Sequence, residues 1–120
     1  MRDARDRMGK GAGQAIADCH ECSDSCLHCI QHCLRLGGMH AEARHIRVMS
    51  DCAEACRFAG SFMARESDHA VRACSICAEV CDACAASCER MGEDAEMQAC
   101  AKTCRRCAGS CRDLAGMPKG

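Results

Sequence analysis

The sequence predicts an all-α fold, an antiparallel up-down-up-down four-helix bundle built from a duplicated helical hairpin. Three observations carry that expectation. The 16 cysteines fall into four groups whose internal steps are only three or four residues, the spacing of one narrow stripe along a helix. β-Branched and aromatic residues are scarce and never alternate, so no strand signal competes. A shift of 55 residues carries Cys19, Cys22, Cys26, Cys29 and Cys33 onto Cys74, Cys77, Cys81, Cys84 and Cys88. The same shift carries Cys52 and Cys56 onto Cys107 and Cys111, and Gly37 onto Gly92.

Taken in order, residues 1–13 (MRDARDRMGKGAG) hold arginines and glycines with no apolar run after them. They read as a solvated arm that is no export signal as it stands, although one removed before Met1 would leave no trace. The first helix, 14–36, carries the first cysteine group, and Gly37-Gly38 supply a left-handed cap. The second, 40–64, carries Cys52 and Cys56. Ser67-Asp68 offer an N-cap to the third, 68–91, which Gly92 closes. The fourth, 94–115, carries Cys100, Cys104, Cys107 and Cys111, and the only proline, Pro118, lies beyond it in a tail, 116–120. Residues 14–115 are thus one bundle, and its short connections make successive helices antiparallel.

Composition narrows the partners. With 16 Lys+Arg against 17 Asp+Glu the net charge is −1, so no basic field exists to attract nucleic acid or an anionic membrane. No apolar run approaches the roughly 18 residues of a membrane span. Leu, Ile, Val and Phe together supply only 13 of 120 residues. Buried cysteine behaves as a small hydrophobe, and the core of this chain must be made largely of sulfur.

Four antiparallel helices aim their cysteine seams at one axis. A metal-free thiol core is the plainest reading, but Leu or Ala would fill those positions without redox liability. A disulfide scaffold fares little better. Disulfide Cβ atoms stand about 3.8 Å apart, whereas i,i+3 and i,i+4 positions stand about 5–6 Å apart. Bridges within a helix would be strained, and bridges between helices would use only a fraction of the thiols. Metal fits best: two sulfurs on one ion, at about 2.3 Å each, lie no more than roughly 4.6 Å apart. Cys-x-x-Cys and Cys-x-x-x-Cys then become clamps for a two-coordinate ion, repeated turn after turn.

Thiolate and thioether ligands select Cu(I), zinc or iron–sulfur clusters. Sixteen thiolates holding four Zn²⁺ would leave about eight uncompensated negative charges in the core, at several kcal/mol each. Sixteen Cu(I) ions cancel them one for one, which favours Cu(I); bridged zinc clusters would shrink the zinc deficit and stand as the alternative. No Cys-x₂-Cys-x₂-Cys-x₃-Cys-Pro run supports an iron–sulfur cluster. A thiol redox enzyme or sensor would need one or two exposed, low-pKa cysteines, and sixteen seam positions argue against so small a reactive pair.

The array has a known likeness. Helical hairpins carrying Cys-x-x-Cys-x-x-x-Cys runs, duplicated into a bundle of this length, resemble the bacterial copper storage proteins over residues 15–115. The resemblance implies a bundle that stores many Cu(I) ions along its core, assembles as a homotetramer and has no catalytic turnover. That family has exported and cytosolic branches, and the high cysteine count without an export signal looks more like the cytosolic one. The implied setting is cytoplasmic, with copper delivered by a chaperone or a small-molecule thiol. Helix 2 departs from a fully cysteine-lined seam.

That departure is informative, because the repeat pairs His45 with Cys100 and Met49 with Cys104. Both replacements are soft-metal ligands. The antiparallel layout gathers Met39, His40, His45, Met49, Met91 and Met97 at one end, against Met63 and His69 at the other. Such an end can pass Cu(I) inward by ligand exchange; the plainer reading is that Met49, Met91 and Met97 plug the seam with flexible apolar volume. The candidate ligands are the sixteen cysteines with His45, Met49 and Met97. His20, His28 and His32 fall off the seam and are expected in solvent. Ile16, Leu27, Ile30 and Leu34 form a second stripe on helix 1, facing either another subunit or a flank of the monomer.

Overall fold

The computed structural model describes residues 11–116. Four α-helices follow one another: α1 Gly11–Leu36, α2 Ala43–Ala64, α3 Ala70–Glu89 and α4 Ala95–Ala115, with a 3₁₀ turn at Gly38–Ala41 between the first two. Among the described residues there is no strand. The helix α1 begins at Gly11 rather than 14, and the expected arm and tail otherwise fall outside the described residues. Each helix packs against its two sequence neighbours, and α1 closes the square on α4. No helix among the described residues is long and apolar enough to cross a membrane.

The turns sort the helix ends. Gly37 and Gly38 both take left-handed backbone, φ 72° and 56°, and the Gly37 N–H caps the Cys33 carbonyl. Asp94 starts α4 by accepting the Met97 N–H on its side chain at 3.0 Å. At the other end the expected Ser67-Asp68 cap shifts: α3 starts at Ala70, and the Ser67 hydroxyl accepts the His69 N–H instead. The turn consumes these residues because the α2 C-terminus closes over them, with Ser67 N–H reaching the Phe62 carbonyl at 2.9 Å.

All sixteen cysteines are buried free thiols. Around them small alanines complete the interior, among them Ala59, Ala78, Ala85 and Ala108 at 0% exposure. Helix pairing is fixed outside the seam. Asp18, buried on α1, accepts from Gln14 and from Ser110 on α4, while Ser23 donates to the Ala53 carbonyl of α2. Arg105 of α4 bridges Asp82 and Glu89 of α3. These contacts register the helices so that the seams meet.

Candidate metal centre

Four groups of thiols have their sulfurs within 4.8 Å of one another. They are Cys22, Cys26, Cys52 and Cys104; Cys22, Cys52, Cys56 and Cys81; Cys56, Cys77, Cys81 and Cys107; and Cys19, Cys77, Cys107 and Cys111. Each takes a Cys-x-x-x-Cys pair from one helix and a single thiol from each of two others. Successive groups share an edge: Cys22 with Cys52, then Cys56 with Cys81, then Cys77 with Cys107.

This refines the clamp reading. Four-residue steps supply the pairs, whereas no three-residue step places both its sulfurs in one group. On a helix of 3.6 residues per turn, a step of four turns the side chain about 40° and a step of three about 60° the other way. The closest contacts run mostly between helices, from 3.6 Å (Cys56–Cys81) to 3.9 Å (Cys26–Cys84). Metal–sulfur bonds of about 2.3 Å set ligand sulfurs about 3.8 Å apart in a tetrahedron and about 4.0 Å in a trigonal site. The interior is thus close to the spacing of three- and four-coordinate thiolate sites, and a pair of sulfurs need open by only about 1 Å to span a two-coordinate ion.

Protons are shared unevenly along the array. Hydrogen bonds from neighbouring thiols push Cys22, Cys52, Cys77 and Cys107 down, against the pull of burial. Hydrogen bonding to neighbours, reinforced by burial, holds Cys26, Cys56, Cys81 and Cys104 up, as it does Cys19 and Cys111. Every group of four therefore pairs two thiols pushed down by their neighbours with two held up, and a bound metal displaces the protons of all four.

The loop end is built differently. Cys33 lies 3.4 Å from His45 Nε2 and 3.6 Å from Met97 Sδ. The other ring nitrogen of His45, Nδ1, is 2.7 Å from the Ser87 hydroxyl. Burial, with the charges of His40 and Arg90, pushes the His45 pKa down and keeps the ring neutral. An Nδ1–H given to Ser87 leaves Nε2 as the free lone pair beside Cys33. Burial, then the negative charges of Asp94, Cys100 and Glu96, lift the Cys33 thiol to about 11. Met49 is fully buried one turn deeper on the same seam, while Met39 stands half exposed at the tip.

Of the histidines expected in solvent, His20 and His28 are exposed. His32 is not: its side chain is only 16% exposed and faces Asp94 at 2.9 Å and Glu96 at 3.1 Å. Seam periodicity cannot reveal this, because the carboxylates arrive from α4. Ser87 was also missed, and the repeat does mark it, since the 55-residue shift places it opposite His32. Cys29, Cys33, Cys74, Cys84, Cys88 and Cys100 belong to none of the four-thiol groups, although Cys84 touches Cys26 at 3.9 Å.

The comparisons with known proteins meet this geometry. Residues 8–116 match the family model described as Csp, copper storage protein. The Nmul_A1745 protein of Nitrosospira multiformis is 42% identical, with 89% of this chain and 96% of that one covered and a TM-score of 0.83. The Cu(I)-bound copper storage protein BsCsp3 is 33% identical over 88% of this chain and 99% of its own, at a TM-score of 0.82. A cytosolic copper storage protein from Streptomyces lividans, loaded with five coppers, is 25% identical over 96% and 100%, at 0.80. No curated protein matches the chain. A sulfur-lined four-helix bundle matched over nearly its whole length leads to one conclusion: the chain belongs to the copper storage protein family.

Proposed function

We propose that this protein stores Cu(I) along its core, about one ion per cysteine, without catalysing a reaction. The observation that carries the reading is the sharing of thiols between successive four-sulfur groups. A thiolate that bridges two ions, with each ion held by two thiolates, gives one Cu(I) per thiol and a neutral interior. Separate Cys₄ zinc sites need groups that share nothing, and at most two of these four can be chosen so. The burial of all sixteen cysteines also disfavours a redox enzyme, which needs an accessible thiol.

In this reading Met39, His45, Met49 and Met97 form the mouth. Exposure falls from half at Met39 to 2% at His45 and zero at Met97, so copper passed along them moves from weak thioether and imidazole ligands to bridging thiolates. Its donor is a chaperone or a small-molecule thiol complex. The cytosolic Streptomyces relative supports a cytoplasmic setting. Leu27 and Leu34, exposed on α1 at 43% and 51%, support self-association, with the tetramer as the expected form.

Anaerobic Cu(I) titration of the reduced protein against a competing chelator, with metal analysis after gel filtration, tests the store. Uptake should level off near one ion per thiol, roughly 16. A plateau near four would replace the shared copper array with zinc-like chemistry.

A further inference from the structure

Outside the thiol array, three nitrogen and oxygen ligands converge at the loop end. His32 Nε2 and His40 Nε2 approach the same oxygen of Asp94, Oδ2, at 2.9 and 3.0 Å. The three ligand atoms all lie within 4.8 Å of one another. They come from the last turns of α1, the 3₁₀ turn and the start of α4, so the fold brings them together rather than local sequence. All three side chains are largely withdrawn from water, at 16%, 20% and 14% exposure.

Two of the three are also aimed from behind. His32 Nδ1 faces Glu96 Oε2 at 3.1 Å, the carboxylate–histidine pairing that fixes a ligand ring and directs its other nitrogen at a metal. Asp94 Oδ1 accepts the Met97 N–H at 3.0 Å, which turns Oδ2 toward both rings. Hydrogen bonds to the two rings and to Met97 hold the Asp94 carboxyl down at about 2 although burial alone would raise it. A tetrahedral ion with bonds of about 2.1 Å spaces its ligand atoms about 3.4 Å apart, so the two nitrogen–oxygen spacings, 2.9 and 3.0 Å, open by about half an ångström to admit one.

We propose that His32, His40 and Asp94 form a second, thiol-free metal site that takes a divalent ion of borderline softness such as Zn(II), with its fourth position open. Imidazole with carboxylate suits such ions, whereas Cu(I) goes to the sulfurs. The site stands one residue from Cys33 and three from Met97, so an ion there braces the 38–41 turn over the outermost soft ligands. Without a metal, the same residues are a hydrogen-bonded staple between that turn and α4, and the two readings differ in what they bind.

The experiment uses protein already filled with Cu(I), kept anaerobic, and titrated with Co(II) as the spectroscopic substitute for Zn(II). A single Co(II) per chain should bind with the weak visible bands of nitrogen and oxygen ligation, and Zn(II) should displace it. Co(II) on any vacant thiols announces itself separately by an intense sulfur-to-cobalt charge-transfer band. His40→Ala, in an exposed turn, and Asp94→Asn, which keeps an N-cap acceptor, should each weaken the binding at least tenfold. His28→Ala, at an exposed position on α1, should leave it unchanged. Saturable Co(II) binding that is absent, that shows only sulfur bands, or that survives both variants overturns the site.

Discussion

The two stretches of the tube use the same seam positions and differ in what fills them. Toward the turn that joins α2 to α3, the four helices interleave their Cys-x-x-x-Cys pairs into groups that share edges. Toward the hairpin loops, α2 offers His45 and Met49 where α4 offers Cys100 and Cys104. The effect can be followed in one group. Under the 55-residue repeat, Cys22, Cys26, Cys52 and Cys104 map onto Cys77, Cys81, Cys107 and Met49. With a thioether in that place, Cys56 completes the group of Cys77, Cys81 and Cys107 instead, and the shared lattice grows away from the loops. Two substitutions in a duplicated hairpin are enough to give the tube a dense end and a sparse end. Dense bridging suits retention, and sparse mixed ligation suits passage.

The largest expected effect tests the density itself. Cys22→Ala with Cys52→Ala removes two thiols that each serve two groups, while Cys29→Ala with Cys33→Ala removes two that serve none. If each bridging thiolate holds two ions, the first pair should lower capacity by more than two Cu(I), up to about four where the two thiols share no ion, and the second by about two. Metal analysis after gel filtration decides, with circular dichroism to check that each bundle folds. Equal losses would erase the difference between the stretches.

Alkali should separate apo from loaded protein next. The Cys33 thiol, lifted to about 11 mainly by burial, sits above its ordinary value of 9.0. A group raised in the folded state leaves stability intact below its unfolded pKa and withdraws it as pH climbs through the folded one. The apo protein should therefore melt several degrees lower at pH 10.5 than at pH 8. The copper-loaded form, whose thiols have already lost their protons to the metal, should show no such drop. Melting curves of both forms at the two pH values check this, and a parallel fall in the loaded protein would count against thiolate ligation.

The third effect is kinetic. His45→Leu with Met49→Leu keeps the seam filled, the Met change conserving volume, but removes the two soft ligands that α2 places near the loops. Loading from a Cu(I) chelate should slow about tenfold, an added barrier of about 1.4 kcal/mol, while final capacity stays nearly the same. Met63→Leu, fully buried toward the other end, should load at the parent rate. Stopped-flow traces side by side distinguish passage from plain packing, since equal rates would return His45 and Met49 to the core.

How far these differences could be read beforehand depends on their physical range. Helices, seam and duplication are properties of spacing along one chain. The structure has the four helices with ends within three residues of where periodicity and glycine caps put them, α2 starting at Ala43 rather than 40 because a 3₁₀ turn takes Gly38–Ala41. The substitution of His45 and Met49 was legible for the same reason. What escaped depends on how one helix meets another. Neither the Cys-x-x-x-Cys partition nor the Ser87 contact to His45 follows from one helix alone, because both need the register between α2 and α3. His32 looked solvent-facing because its partners, Asp94 and Glu96, lie more than sixty residues away in sequence and only the bundle's closure brings them near. The third helix starts later than Ser67-Asp68 suggest because the α2 C-terminus competes for the same backbone groups.

The smallest effect contrasts two glycines, one at each end. Gly60 lies inside α2 with helical backbone, and a Cβ added there would meet the Cys19 Cβ at 3.5 Å, an ordinary contact. The repeat already places alanine at the matching position, Ala115. Gly60→Ala should therefore stabilise the apo protein by about 0.5–1 kcal/mol, through a less flexible unfolded chain and better helix propensity. Gly37 has open space around it but a φ of +72°, which any side chain resists. Gly37→Ala should cost about 1 kcal/mol for backbone reasons alone. Chemical denaturation of the two apo variants gives opposite signs if the dense end is limited by helix stability and the loop end by turn geometry. Destabilisation by Gly60→Ala would instead show that the Cys19 layer has no room to spare, and that thiol packing there is tighter than the contact distance implies.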